Sequence, residues 1–301
     1  MRILCAVDGS EFSQWGVQAL GALACREPEK VILLHVVDPS ALRSGKGGNP
    51  VAEKRALAAM EKAGGIILRE AERSARVALG QAATGPRTAL QTILAHGPLA
   101  KTIVQQARRM KANLLLIGSR GLSDIRGFLL GSISRQVAAI TPCSILVVKQ
   151  PTSVFSHVTL AVDDSKHSRA AARFLRAQVL PESATTTILS SVERPVSDLA
   201  VHYLSAAQIA QLERPALERA GKLVATLREE FLKDGYPVVT DVQMDHVIDT
   251  IVKQVAATQA DLLVIGSREL SKDERLHLGS VSDSLLRHAP CSVLIVRGTR
   301  A

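Results

Sequence analysis

Aromatic residues are scarce in this 301-residue chain: one Trp, two Tyr and five Phe, 3% in all. So thin a supply argues against a surface that stacks successive nucleic-acid bases. Cysteine is equally sparse. Cys5, Cys25, Cys143 and Cys291 form no CxxC pair and no Cys/His cluster at metal spacing, so no metal site is expected. They read as small buried apolar residues, with no disulfides. Long apolar runs are missing too, none approaching the ~18 residues of a membrane span. The opening MRILCAVDGS is too short for a leader and lacks a small-residue cleavage site. The expectation is a cytoplasmic protein with no membrane partner. A Walker lysine, paired carboxylates in one motif and a Ser-His-Asp order are also lacking, so no catalytic apparatus is visible.

What is present is a repeat. MRILCAVDGSEFS aligns with HVTLAVDDSKHS, VILLHVVD with TTILSSVE, ANLLLIGSRGLSD with ADLLVIGSRELSK, and TPCSILVV with APCSVLIV. The period, about 150 residues, is that of a domain rather than a solenoid unit. Two domains are expected, 1–150 and 151–301, joined near Pro151. Charge divides unevenly between them. Residues 1–150 hold 20 Lys and Arg against 10 Asp and Glu, whereas residues 151–301 hold 17 against 18. The basic residues of the first half are interspersed with Glu along helical stretches, the pattern of solvated helix faces, and nucleic acid is not an expected partner.

Within the first half, apolar runs at Ile3–Val7, Val31–Val37, Thr88–Leu94, Leu114–Ile117 and Ile145–Val148 alternate with helical stretches. Runs without in/out alternation indicate strands buried on both faces. The β-α-β-α order then gives a doubly wound α/β fold with a parallel sheet and helices on both faces. Ser10 fits an N-cap, Gly97-Pro98 opens another helix, and Gly131-Ser132 opens the helix that stops at Thr141-Pro142. In such sheets ligands sit beyond the C-terminal strand ends.

The candidate site residues fall there. Asp8 could accept from a ribose hydroxyl or an adenine amino group, or could cap the following helix through Asp8-Gly9-Ser10. Val36 and Ile117 could wall a flat base, or belong to the core. The frame GSRG, nine residues, then GS places Gly118, Gly121 and Gly131 as a phosphate cradle at a helix N-terminus. Ser132 and Ser134 could give hydroxyls to a phosphate or cap the helix, and Arg120 could pair with a phosphate or face water. Leu122–Leu130 reads as a flap, and its Asp124 is the single candidate for Mg²⁺. His35 reads as a packed histidine rather than a base.

These motifs closely resemble the universal stress protein family in its tandem two-domain form. The strand-one Asp, HVVD, Gly97-Pro98 and G-x2-G-x9-G-[ST] in the context LSDIRGFLLGSIS carry the resemblance over nearly the whole chain. It implies a five-stranded parallel sheet of order 3-2-1-4-5 in each half, and ATP as the ligand. It further implies that Val7, Asp8 and Val36 contact adenosine and that Ile117 and Gly118 line the base and ribose. Arg120, Gly121, Gly131, Ser132, Ile133 and Ser134 would then surround the phosphates. An adenine-nucleotide-binding regulatory protein of stress survival follows, with at most slow hydrolysis and a protein partner of unknown identity. The two halves would pair with each other, or chains would form a homodimer. A nucleotide-free interaction scaffold of the same fold is the alternative, and an adenylate-using hydrolase or transferase would need a base or metal cluster.

In the second half Glu269 replaces Gly121, Asp164 replaces Gly9 and Asp245 replaces Gly97. Each adds an acid on the face expected to meet phosphates, at a cost on the order of kilocalories at an effective dielectric near 20. If position 269 needs positive φ, strain adds ~1 kcal/mol. The nucleotide is therefore expected in the first domain, with a degenerate motif in the second.

Overall fold

A computed structural model describes the whole chain except residues 24–27, 43–48, 81–88, 123–129, 182, 198, 200–201, 268–277 and 299–301. The described chain divides into two compact units, the first running from Met1 to Val154 and the second beginning at Phe155.

In the first unit the strands are β1 (Arg2–Ala6), β2 (Lys30–Val37), β3 (Ala89–His96), β4 (Leu114–Gly118) and β5 (Ser144–Val148). All pair in parallel, in the order β3-β2-β1-β4-β5. Ile3, Leu4, Cys5, Leu114, Leu115, Leu116, Ile145 and Leu146 are almost wholly buried, as the uninterrupted apolar runs require. Burial also pushes the Cys5 thiol up to about 12, so it stays a thiol and acts as a small core residue. The crossovers are α1 (Glu11–Ala22), α2 (Pro50–Leu79), α3 (Leu99–Arg109) and α4 (Ser132–Ile140). With right-handed connections, α1 and α2 pack together on one face and α3 and α4 on the other.

Local chemistry sets where these helices begin. Ser10 Oγ accepts from Ser13 N at 3.2 Å, capping α1. Asn49 Oδ1 accepts from Val51 N and Ala52 N, and Pro50 fills the first position of α2. Gly97, at φ +130°, turns the chain from β3 into α3. No described helix is long and apolar enough to cross a membrane.

The second unit repeats the plan. Strands β6 (His157–Ala161), β7 (Thr185–Val192), β8 (Val238–Met244), β9 (Leu262–Ser267) and β10 (Ser292–Arg297) pair in parallel, in the order β10-β9-β6-β7-β8. The helices between them are α5 (Lys166–Phe174), α6 (Ala206–Lys233), α7 (Val247–Ala257) and α8 (Ser280–His288). Read from β6 outward, this too is the 3-2-1-4-5 arrangement.

One equivalent pair shows how charge is handled in the two sheets. Asn113 Oδ1 accepts from Arg2 N at 2.8 Å to anchor the start of β1. Asp261 does the same for β6, its Oδ2 accepting from Ser156 N at 2.7 Å and from His157 N at 3.2 Å. Asp261 Oδ1 is buried without a partner among the described residues. Burial raises its pKa, opposed by the two backbone N–H donors. A raised carboxyl pKa favours the protonated folded state, so stability present at low pH is lost as pH rises through the folded value. Asp261→Asn, which copies Asn113, is expected to raise the unfolding midpoint at pH 7 by about 1–3 °C. The gain should vanish near pH 3; a gain that grew on acidification would contradict this assignment.

Candidate functional site

Strand order reverses at β1, which lies between β2 and β4, and a cleft of about 370 Å³ opens beyond the C-terminal ends of these strands. Val7, Val36 and Ile117 form apolar wall, all three buried. His35 also lines the cleft, and its Nδ1 lies 2.8 Å from Val7 O. A carbonyl only accepts, so Nδ1 carries the proton and the ring is fixed in place. Gly64 of α2 permits this packing, since a Cβ there would stand 2.7 Å from His35 Cδ2. His35 is thus a packed residue, as its sequence context suggests.

Asp8 braces the turn into α1, where Ser10 is the cap, so it serves the local role that the sequence left as one of two alternatives. Its Oδ1 accepts from Ser10 N at 2.9 Å and from Ser10 Oγ at 2.6 Å. Its Oδ2 accepts from Leu122 N at 3.2 Å, which ties the glycine turn to the end of β1. With two donors on Oδ1 and one on Oδ2, Oδ2 keeps a further lone pair for a ligand donor.

The glycine frame divides into residues with different tasks. Gly118 lines the cleft but is required by packing, because a Cβ there would meet the Phe12 carbonyl carbon at 2.6 Å. Its membership of a phosphate cradle is therefore not what demands glycine at this position. Ser134 also departs from expectation: its hydroxyl donates to Gly118 O at 2.7 Å, so its one proton fastens α4 to β4 rather than awaiting a phosphate. Gly131 is buried and bonds Ser119 O at 2.7 Å, and Ser132 is exposed; neither belongs to the cleft wall. Among the described residues no side chain caps α4, which leaves its first-turn N–H groups as an anion-favouring end. Ile133 and Gly121 line the cleft beside it. Arg120 lines it as well, its guanidinium 5.2 Å from the Phe12 ring centroid and its Nε buried with no partner among the described residues. Asp124 and most of the expected flap lie outside the described residues.

Other wall residues escaped sequence reasoning. Met60, Ala63 and Ile67 of α2 close one side, Leu99 and Ile103 of α3 another, and Asp38 stands at the end of β2. The spacing of Met60, Ala63 and Ile67 follows one helix face and was legible as such. That this face covers a ligand cleft depends on where α2 docks. Among the described residues no group of His, Cys, Asp and Glu could hold a metal ion.

The second unit has a cleft of about 330 Å³ in the equivalent place, and here the expected acids are corrected. Asp164 does not line it; its carboxylate pairs with Arg169 at 3.0 Å on an exposed surface. Asp245 does not line it either, its Oδ1 accepting from His246 N at 2.7 Å. Glu269 lies outside the described residues. Positive φ among described glycines occurs at Gly9, Gly80, Gly97 and Gly235 but not at Gly121, so the strain argued for position 269 has no counterpart in the first unit. Asp164 and Asp245 are not at positive φ, although Gly9 and Gly97 are; the second unit makes those turns with a different backbone. Gly266 is kept for packing, as a Cβ there would stand 2.5 Å from the His167 carbonyl. What the wall does contain is Ser191, where the first unit has Val36, together with Asp163, Glu193 and His167.

The universal stress protein family model matches residues 1–149 and again 155–297. A universal stress protein of Thermus aquaticus is 30% identical over 148 residues, covering 48% of this chain and 100% of that protein. One from Bacillus subtilis is 28% identical over 153 residues, covering 49% of this chain and 98% of that protein. Among solved structures, a universal stress protein from Archaeoglobus fulgidus aligns over 98% of both chains with a TM-score of 0.66 at 20% identity, a likeness of fold.

Proposed function

The chain belongs to the universal stress protein family through two consecutive matches, and from that premise we propose that its first unit binds ATP as a regulatory ligand. One observation carries the reading: an apolar cleft at the reversal point of the sheet ends at an uncapped helix N-terminus, with the buried, unpartnered Nε of Arg120 in its wall. A guanidinium without an acceptor in a partly desolvated place is costly, and a phosphate oxygen supplies what it lacks. The cleft volume falls within the ~300–1,000 Å³ usual for small-molecule sites. Val36 and Ile117 would flank the base, Asp8 would accept from the nucleoside, and the turn at Arg120-Gly121 with the α4 terminus would hold phosphates.

The site is read as a holder rather than a catalyst. His35 donates its Nδ1–H to Val7 O and Asp8 is engaged by Ser10 and Leu122, so both are first used to shape the cleft. Hydrolysis, if measurable, is expected to be slow, and the nucleotide state would be the signal passed to a protein partner.

Isothermal titration of the full chain should give about one ATP per chain. Saturation at 100 times Kd should stabilise by ~2.7 kcal/mol, seen as a raised unfolding midpoint. No heat and no shift would overturn the reading in favour of a nucleotide-free scaffold.

A further inference from the structure

The walls of the two clefts part company at one position of the second strand. Strand register fixes the equivalence: Ala6 pairs with Leu34 and Ala161 pairs with Leu189, so Val36 and Ser191 stand at the same place, two residues on. Both residues line their clefts. Their neighbours on the edge strand differ in the same sense, for Val36 pairs with Ala95 and Ser191 pairs with Gln243. The Gln243 carboxamide Nε2 donates to Asp241 and faces Gln254, so it does not serve the serine. Ser191 Oγ is buried and has no hydrogen-bond partner among the described residues.

A buried hydroxyl without a partner is uncommon and signals a group that something else satisfies. The flat, apolar face of a purine offers the hydroxyl neither donor nor acceptor, and it finds less carbon to pack against on a serine than on a valine. The same face laid on Val36 gains dispersion and loses nothing. The lid differs too: Met60, Ala63 and Ile67 of α2 close the first cleft, and no residue of α6 lines the second.

We propose that Ser191 is the specificity-determining residue that keeps adenine out of the second cleft and reserves that wall for a ligand bearing a polar atom. The proposal rests on the reading of the first cleft as an adenine site. It concerns the base end alone, so it is independent of whatever acids stand near the phosphate end.

Adenosine is the appropriate probe, because it carries no phosphate. Titration of the full chain should give about one adenosine per wild-type chain. Ser191→Val should add a second binding event, at least tenfold tighter than any wild-type binding in that cleft. Ser191→Thr, which has the bulk of valine but keeps a hydroxyl, should remain at one. Val36→Ser should weaken the first event at least tenfold. Far-ultraviolet circular dichroism and the unfolding midpoint of each variant report that the fold is retained. A folded Ser191→Val protein that still takes one adenosine overturns the proposal, as does a Ser191→Thr protein that takes two or a wild-type chain that takes two. A wild-type chain that takes none overturns the reading of the first cleft instead.

Discussion

Gly118→Ala is expected to lower the midpoint of thermal unfolding by roughly 6–12 °C, about 3 kcal/mol for a unit of this size. A single methyl group would stand 2.6 Å from the Phe12 carbonyl carbon, 2.7 Å from its oxygen and 2.8 Å from its Cβ. None of these atoms can yield cheaply. Phe12 lies in the first turn of α1, which Ser10 caps and Asp8 braces. Gly118 ends β4, held between β1 and β5 in the middle of its sheet. Close-packed interiors transmit such an insertion as strain rather than absorbing it. The second unit offers an internal repetition, because Gly266→Ala meets the His167 backbone at 2.5 Å and should cost about as much. Calorimetry of the two variants decides the matter. A fall of less than about 2 °C in either would mean that helix and strand are not in the close contact described.

Gly121→Glu carries the larger functional effect, an expected loss of ATP affinity of at least ~100-fold, which is about 2.7 kcal/mol. The residue lines the cleft beside Arg120, and its φ is not positive, so a side chain is not excluded by the backbone. The new carboxylate would stand where phosphates are proposed to bind. At an effective dielectric near 20, two unit charges 4 Å apart repel by ~4 kcal/mol, and a triphosphate carries several. The ligand-free unfolding midpoint should stay close to that of wild type, which separates a blocked site from a damaged fold. Undiminished ATP binding by Gly121→Glu would remove the phosphates from this turn. The same substitution occurs naturally at Glu269, in the second copy of the motif.

Much of the fold was legible because its signals are local. Each strand of the first unit lies within two residues of an apolar run, and Ser10, Gly97 and Gly131 mark helix starts where their chemistry predicts. The repeat was legible because both halves answer to the same packing constraints, as Gly118 and Gly266 show. The site was read less completely. Alignment found Asp8, Val36 and the glycine frame, and nine of the eleven expected residues, all but Gly131 and Ser132, do line the cleft. The work each does was partly misassigned, since glycine in a turn and glycine against a helix look alike in sequence. Ser134 likewise could have spent its proton on a phosphate or on Gly118 O, and the choice needs an acceptor 16 residues away.

The acids of the second unit teach the same lesson from the other side. Asp164 and Asp245 replace glycines at aligned positions and were expected to face the ligand; the backbone turns differently there and directs them elsewhere. Ser191, which drew no notice in the sequence, stands in the wall.

The sequence by itself determined the two-domain plan, the parallel α/β class and the strand ends at which a ligand would sit. Hydrophobic period, caps and breakers act over a few residues and leave their mark in order along the chain. Only the tertiary structure decided which side chains face the cleft, which glycines are there for packing, and that Val36 and its counterpart Ser191 both stand in a cleft wall. Those outcomes depend on contacts between residues far apart in sequence, where a small change in backbone angle or docking decides which groups meet.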